Sequence, residues 1–232
     1  MAPFIFMREL LVSDHGELMD RIYSWQTGIY DLTRKPYLLG RNILIEGLCE
    51  RGASKILEIG CGTGRNLVHL ARRMPNAAFS GVDVSAVMLA TARGAIEKGG
   101  HSAGIELIQA DALEVQPGLF GGRRFGEVFF SYALSMIPDW ENAVSHAMEV
   151  VEEGGTLSIV DFGDQAGWPS PLRAMLRFWL RLFHVSPRED LSSRVVALAA
   201  SRDFELREAR RLYLGYSQLL TIKRRAVCSA VI

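Results

Sequence analysis

The chain has 232 residues, 49% of them hydrophobic, and its 26 basic side chains balance 26 acidic ones. That length fits a single α/β domain with its own core, and a net charge of zero offers no electrostatic case for nucleic acid as a partner. Three cysteines at 49, 61 and 228 form neither a metal nor a disulfide framework, which points to a reducing compartment.

The apolar opening Met-Ala-Pro-Phe-Ile-Phe-Met is interrupted by Arg8 and Glu9, too early for a signal peptide. No run of about 18 uncharged apolar residues follows, so no membrane-spanning segment is expected. Residues 17–51 read as two helices joined near Thr33–Pro36, making residues 1–51 an N-terminal helical lid before a core over 52–232. Strict alternation then begins. Strand 55–59 leads to helix 64–74, ended by Pro75, and strand 78–83 to helix 85–98, ended by Gly99-Gly100. Strand 105–109 precedes a loop rich in Gly and Pro. Strand 126–132 leads to helix 139–152, closed by Gly154-Gly155, and then strand 156–161. Residues 170–184 and 189–201 read as helices. The stretches 203–210 and 212–222 read as strands able to form an edge hairpin. Such alternation implies an α/β fold with a doubly wound, mostly parallel sheet and helices on both faces.

The most informative stretch is Lys-Ile-Leu-Glu-Ile-Gly-Cys-Gly-Thr-Gly at 55–64. An apolar strand runs into glycines at every second position, Gly60, Gly62 and Gly64. Glycine permits a sharp turn and close approach to a ligand where a Cβ would clash. The N–H groups that open the next helix face the same crevice. The spacing differs from the dinucleotide pattern G-x-G-x-x-G, and an acid inside the strand, Glu58, is unusual there. Asp83 ends the second strand about 20 residues beyond the loop, where an acid meets ribose hydroxyls. It could instead cap helix 85–98, although Ser85 already fills that role. Asp111 ends the third strand; its carboxylate could accept an adenine amino group while the Ala112 N–H meets a ring nitrogen, or it could be a turn aspartate. Met88 could pack on the adenine face or fill the core.

This ordered set resembles motif I and the following motifs of the class I S-adenosylmethionine-dependent methyltransferases. The resemblance implies the sheet order 3-2-1-4-5-7-6 with one antiparallel strand. It also implies S-adenosylmethionine as cofactor, with Glu58, Gly60, Cys61, Gly62, Gly64, Asp83, Val84, Met88, Asp111, Ala112, Ser131 and Arg41 as its binding set. A methyl on a sulfonium needs alignment with a nucleophile and exclusion of water, so proximity carries most of the burden. Accordingly no Ser-His-Asp arrangement, Walker lysine or metal-ligand spacing is apparent.

Further motifs narrow the resemblance. Tyr23-x-x-Gln26-x-x-Ile29-Tyr30-Asp31-Leu32-Thr33-Arg34 and Tyr37-Leu38-Leu39-Gly40-Arg41 are similar to the N-terminal signature of the diacylglyceryl-homoserine N-methyltransferases. So are Ser131-Tyr132-Ala133-Leu134-Ser135-Met136-Ile137-Pro138-x-Trp140, Val160-Asp161-Phe162-Gly163-Asp164 and Phe183-His184-Val185-x-Pro187-Arg188. That family uses three S-adenosylmethionines to make the betaine lipid diacylglyceryl-trimethylhomoserine. The resemblance spans roughly residues 15–222. Glu127, where the family has an aspartate after an aromatic, departs from it, and Ala226 to Ile232 have no counterpart.

The acceptor residues follow from charge. Repeated N-methylation leaves a cation, which aromatic faces stabilise by about 0.5–2 kcal/mol each. Tyr23, Tyr30, Tyr132 and Trp140 fall in segments expected to border the methyl path, although Tyr23 and Tyr30 could share one buried stripe. Arg34 or Arg41 could hold the homoserine carboxylate or the cofactor's own, or simply face solvent. His184 suits an orienting or acid–base role, or a structural one. In 168–184, Arg173, Arg177 and Arg181 recur every fourth residue amid Leu, Met, Phe and Trp. The stretch reads as an interfacial membrane helix, with Arg177 available to a head group, or as an ordinary packed helix. The expected partners are a lipid substrate, the inner face of a membrane approached from the cytoplasm, and an enzyme supplying diacylglyceryl-homoserine. A phosphatidylethanolamine or small-amine N-methyltransferase and a catalytically silent cofactor-binding module are the rival readings.

Overall fold

The structure is a computed structural model that describes residues 38–101, 104–183 and 185–226. Its elements are α1 (Arg41–Arg51), β1 (Lys55–Ile59), α2 (Arg65–Arg73), β2 (Ala78–Asp83), α3 (Ala86–Gly99) and β3 (Ile105–Gln109). Then come β4 (Phe125–Ser131), α4 (Trp140–Glu149), β5 (Val151–Phe162), α5 (Ser170–Leu182), α6 (Leu191–Ala200), β6 (Phe204–Leu212) and β7 (Ser217–Arg224). One seven-stranded sheet has the order β3-β2-β1-β4-β5-β7-β6, as the resemblance implied. β7 runs antiparallel to both β5 and β6, and the first five strands pair in parallel.

The sequence explains this layering. Central β4, Phe-Gly-Glu-Val-Phe-Phe-Ser, is buried along almost its whole length, as a strand covered on both faces must be. Edge strand β6 carries three arginines and two glutamates, which discourage pairing with another chain. Apolar residues of α4 and α6 pack on one face of the sheet, and those of α1, α2, α3 and α5 on the other. Glu127, the departure from the family pattern, is buried and held by Arg51 through bonds of 2.6 and 3.0 Å, with Thr156 alongside. It ties α1 to the sheet rather than serving the crevice.

Two boundaries differ from the sequence reading. The helix expected over 139–152 ends at Glu149, and Val151 already pairs with Phe125. Gly154 and Gly155 form a register shift inside β5 instead of closing a helix. Gly154 has φ +75°, and a Cβ on Gly155 would lie 2.8 Å from the Gly126 carbonyl. The last strand begins at Ser217 rather than 212, because Tyr213–Gly215 makes a short 3₁₀ turn.

Candidate active site

The strand order reverses between β1 and β4, and ligand crevices in open α/β sheets form at such a switch point, beyond the strands' carboxyl ends. A cavity lies there, lined by the β1 and β2 termini, the glycine loop, the start of α2, Asp111 and the segment after β4. The Gly60 and Cys61 amides both donate to the Val82 carbonyl, at 2.8 and 3.0 Å, which folds the loop across β2. Gly60 and Gly62 have φ +74° and +53°, the left-handed region that favours glycine.

Asp83 is wired into this loop. One carboxylate oxygen accepts from the Gly62 N–H at 2.7 Å and the other from the Ser85 N–H at 3.0 Å. An acid at this place, at the end of the second strand, is where ribose hydroxyls meet the protein in doubly wound folds. Ser85 itself caps α3 through Met88 N at 3.2 Å, so capping does not account for Asp83. Asp111 bonds Leu113 N at 2.9 Å in a capping box with Glu114, and it lines the cavity beside Ala112. Its turn role and its exposure to the cavity coexist. Buried Met88 borders the same space.

Glu58 is the most unusual group of the site. It is buried, Asn66 donates to Oε1 at 2.6 Å, and Oε2 has no partner among the described residues. Burial is the main cause pushing its pKa up to about 8, and the Asp83 charge adds to it. A carboxyl so placed awaits a cation, and the α-ammonium of S-adenosylmethionine is one. Oε2 without a partner, the glycine cradle and the two acids together fit this cofactor. The affinity for S-adenosylhomocysteine should therefore rise as pH increases from 6 to 8, because binding draws on the ionised form of a carboxyl whose pKa is raised. Glu58→Gln should flatten that rise, and calorimetry at several pH values with a constant wild-type affinity would contradict the pairing.

A second stretch of the wall follows β4: Ser131, Tyr132, Ala133, Met136 and Ile137. Tyr132 is a non-glycine residue at φ +58°, a strained conformation of the kind stored at functional sites. Its hydroxyl donates to the Leu39 carbonyl, and its ring meets Phe162 edge-on at 4.7 Å. A polar frame holds this segment from behind. Buried Asp161 accepts from Ser135 N at 3.1 Å and Phe162 N at 2.7 Å. Arg188 donates to the Ile137 carbonyl at 2.8 Å, and Gln218 binds the Phe162 and Arg188 carbonyls at 3.0 and 2.8 Å.

Burial raises the Asp161 pKa to about 6. A raised carboxyl pKa means the folded chain holds the proton longer than the unfolded one. This group's contribution to stability is therefore complete below about pH 4 and is lost as pH rises through 6. Asp161→Asn removes that slope, so the variant should gain about 1–3 kcal/mol relative to the wild type between pH 4 and 7. Denaturant titrations giving a constant difference would contradict it.

Of the residues expected from sequence, Glu58, Gly60, Cys61, Gly62, Asp83, Val84, Met88, Asp111, Ala112, Ser131, Tyr132 and Arg41 line this cavity. Three others do not. Gly64 packs behind the loop, where a Cβ would lie 3.0 Å from the Ala92 Cβ, so its role is helix packing. Trp140 is 6% exposed in the core around α4, because the segment before it carries the chain away from the cavity. Arg177 is not among the lining residues and is held by Glu189 at 2.6 Å and the Asp164 carbonyl at 2.9 Å. Tyr23, Tyr30, Arg34 and His184 lie outside the described residues. Leu38, Asn66, Met136 and Ile137 were missed. Asn66 was open to inference, since it sits in the first turn after the glycine loop.

Comparison with known proteins agrees with this geometry. Residues 56–155 match the family model of a methyltransferase domain. The phosphatidylethanolamine N-methyltransferase of Cereibacter sphaeroides is 36% identical over 107 residues, 46% of this chain and 50% of that protein. The demethylmenaquinone methyltransferase of Thermus thermophilus is 28% identical over 138 residues, covering 57% and 60%. These matches thus span about half of those curated relatives' lengths. An O-methyltransferase family protein from Burkholderia thailandensis superposes with a TM-score of 0.68 at 17% identity, over 88% of this chain and 62% of that one. Geranyl diphosphate C-methyltransferase from Streptomyces coelicolor gives 0.60 at 12%, over 79% and 77%. The fold is that of the class I methyltransferases. Residues 56–155 match a methyltransferase domain, and the residues that line the cavity fit S-adenosylmethionine as the cofactor.

Proposed function

We propose that the protein is an N-methyltransferase acting on the amine of a lipid head group, with three successive methylations of diacylglyceryl-homoserine as the reaction. The observation that carries this reading is the wall that follows β4, beside the glycine loop. Tyr132, Ala133, Met136 and Ile137 bring an aromatic ring and apolar side chains without a charge. An attacking amine must be neutral, and each product is a cation. A carboxylate there would favour the protonated, unreactive amine, whereas a ring face tolerates both states. Bound S-adenosylmethionine supplies a methyl carbon on a sulfonium, a good leaving group. The chain's own residues orient and enclose: Glu58 and Asp83 hold polar groups, Tyr132 and Met136 exclude water, and solvent takes the amine proton.

Among the described residues no helix is long and apolar enough to cross a membrane. Access to a lipid therefore implies peripheral contact, in our reading at the cytoplasmic face, beside an enzyme that supplies the acceptor. Phosphatidylethanolamine is the second acceptor in view, supported by the similarity to the Cereibacter sphaeroides protein. Vesicles containing each lipid, with ethanolamine as a soluble amine, separate the readings by mass spectrometry of the products. The proposal expects mono-, di- and trimethylated homoserine lipid. Methylation of phosphatidylethanolamine or ethanolamine alone would displace it.

A further inference from the structure

One surface of the molecule leaves large apolar groups in water. On α5, Leu172, Met175, Phe178 and Leu182 are 46–64% exposed. At about 100° per residue they fall in one row along the helix. Leu176, Trp179, Leu180 and Phe183 form the strip that packs on the domain. Arg173, Arg177 and Arg181 run down the other side of that strip, and α5 contains no acid. The central arginine is pinned by Glu189, but no ion pair of Arg173 or Arg181 occurs among the described residues. Beside the start of α5, the turn between β6 and β7 presents Leu214, 71% exposed, and Tyr213. Both have positive φ, +59° and +52°, so an apolar tip is held outward at a conformational cost. Gly167 N bonds the Leu214 carbonyl at 3.1 Å and Trp168 Nε1 bonds the Tyr213 carbonyl at 3.2 Å, which join turn and helix.

This surface is linked to the cavity. Tyr132 on the cavity wall touches Phe162, Phe162 touches Tyr216 at 5.7 Å, and Tyr216 touches Trp168 at 5.5 Å. A row of rings thus leads from the acceptor wall to the base of the exposed apolar row.

We infer that the outward face of α5 and the Tyr213–Leu214 turn dock the protein on an anionic lipid bilayer, next to the acceptor wall. The inference rests on the lipid-acceptor reading above and names the surface through which that acceptor is reached. The occupant follows from complementarity. Apolar side chains enter the acyl boundary, while Arg173 and Arg181, in no ion pair among the described residues, meet anionic head groups. The part assigned to arginines on sequence grounds falls here mainly to the apolar row.

Flotation of the full chain with phosphatidylglycerol–phosphatidylcholine vesicles, and with phosphatidylcholine alone, tests this. The wild type should float with the anionic vesicles and detach as salt increases. Phe178→Ser with Leu182→Ser, or Leu214→Ser, should lower the partition coefficient, the double variant by about tenfold or more. Arg173→Glu with Arg181→Glu should abolish the preference for anionic lipid. S-adenosylhomocysteine affinity measured without lipid should remain at the wild-type value in every variant, which certifies the fold. Wild-type partition by these variants would overturn the inference. So would a wild-type dimer that Phe178→Ser with Leu182→Ser converts to a monomer, since a second copy would then cover the face. A protein that docks as described yet methylates no lipid amine keeps the surface and loses the acceptor. One that methylates the lipid in detergent micelles but never floats keeps the acceptor and loses the surface.

Discussion

Gly62→Val should abolish detectable S-adenosylhomocysteine binding in a protein that still folds. Gly62 lines the cavity, and a Cβ built on it meets no protein atom within 4 Å. The valine side chain would therefore meet open space at a residue that borders the cavity, where the cofactor must come close. The left-handed φ of +53° adds strain of about 1–3 kcal/mol, which a domain of this size can survive. Loss of binding by at least ~100-fold corresponds to about 2.7 kcal/mol. Calorimetry reads the affinity, and circular dichroism melting certifies the fold. Gly60 provides a contrast, because its Cβ would lie 2.6 Å from the Ala133 Cβ. Gly60→Ala should disturb the acceptor wall instead of filling cofactor space. A Gly62→Val protein with wild-type affinity would contradict the close-approach argument.

Tyr132→Ala should lower kcat by about tenfold or more, matching the ~1–2 kcal/mol of a desolvated cation–π contact, with a smaller change in cofactor affinity. The side chain has two jobs that substitutions can separate. The residue lines the cavity and its ring meets Phe162, while its hydroxyl anchors the Leu39 carbonyl and so the approach to α1. Burial pushes its phenol well above the usual tyrosine range, so it stays neutral while it donates. Tyr132→Phe keeps the ring and releases the segment around Leu39. It should retain more kcat than Tyr132→Ala but raise the KM for the acceptor. Equal kcat for the wild type and the alanine variant would remove the ring from the methyl path.

The fold was largely legible because its signals are local and repeated. Alternating apolar strands and capped helices gave the parallel half directly: β1, β2 and β3 have the expected bounds, and Ser85 caps α3. The reading failed where glycine has two meanings. Gly154 and Gly155 look like a helix stop, yet they permit a shift in strand pairing that only the neighbouring Gly126 carbonyl explains. In the crevice, residues at strand ends and in the glycine loop were legible, since backbone spacing alone brings them together. Gly64 and Trp140 were misassigned because sequence proximity to a motif does not say which way a side chain points. The frame of Asp161, Arg188 and Gln218 was invisible, since it joins residues up to 56 positions apart through bonds to backbone carbonyls and amides. The exposed row on α5 was hidden for a related reason. Its composition suits a core helix or an interfacial one, and only solvent exposure separates them.

The most direct test of the central claim is radiolabelled methyl transfer. The full chain is incubated with S-adenosylmethionine labelled in its methyl group and with vesicles that contain or lack diacylglyceryl-homoserine. Products are then partitioned between organic solvent and water. The account predicts label in the organic phase only when the amine lipid is present, at about three methyls per lipid at completion, and none with the Gly62→Val protein. Label confined to water-soluble products, or equal organic label without the amine lipid, would contradict it.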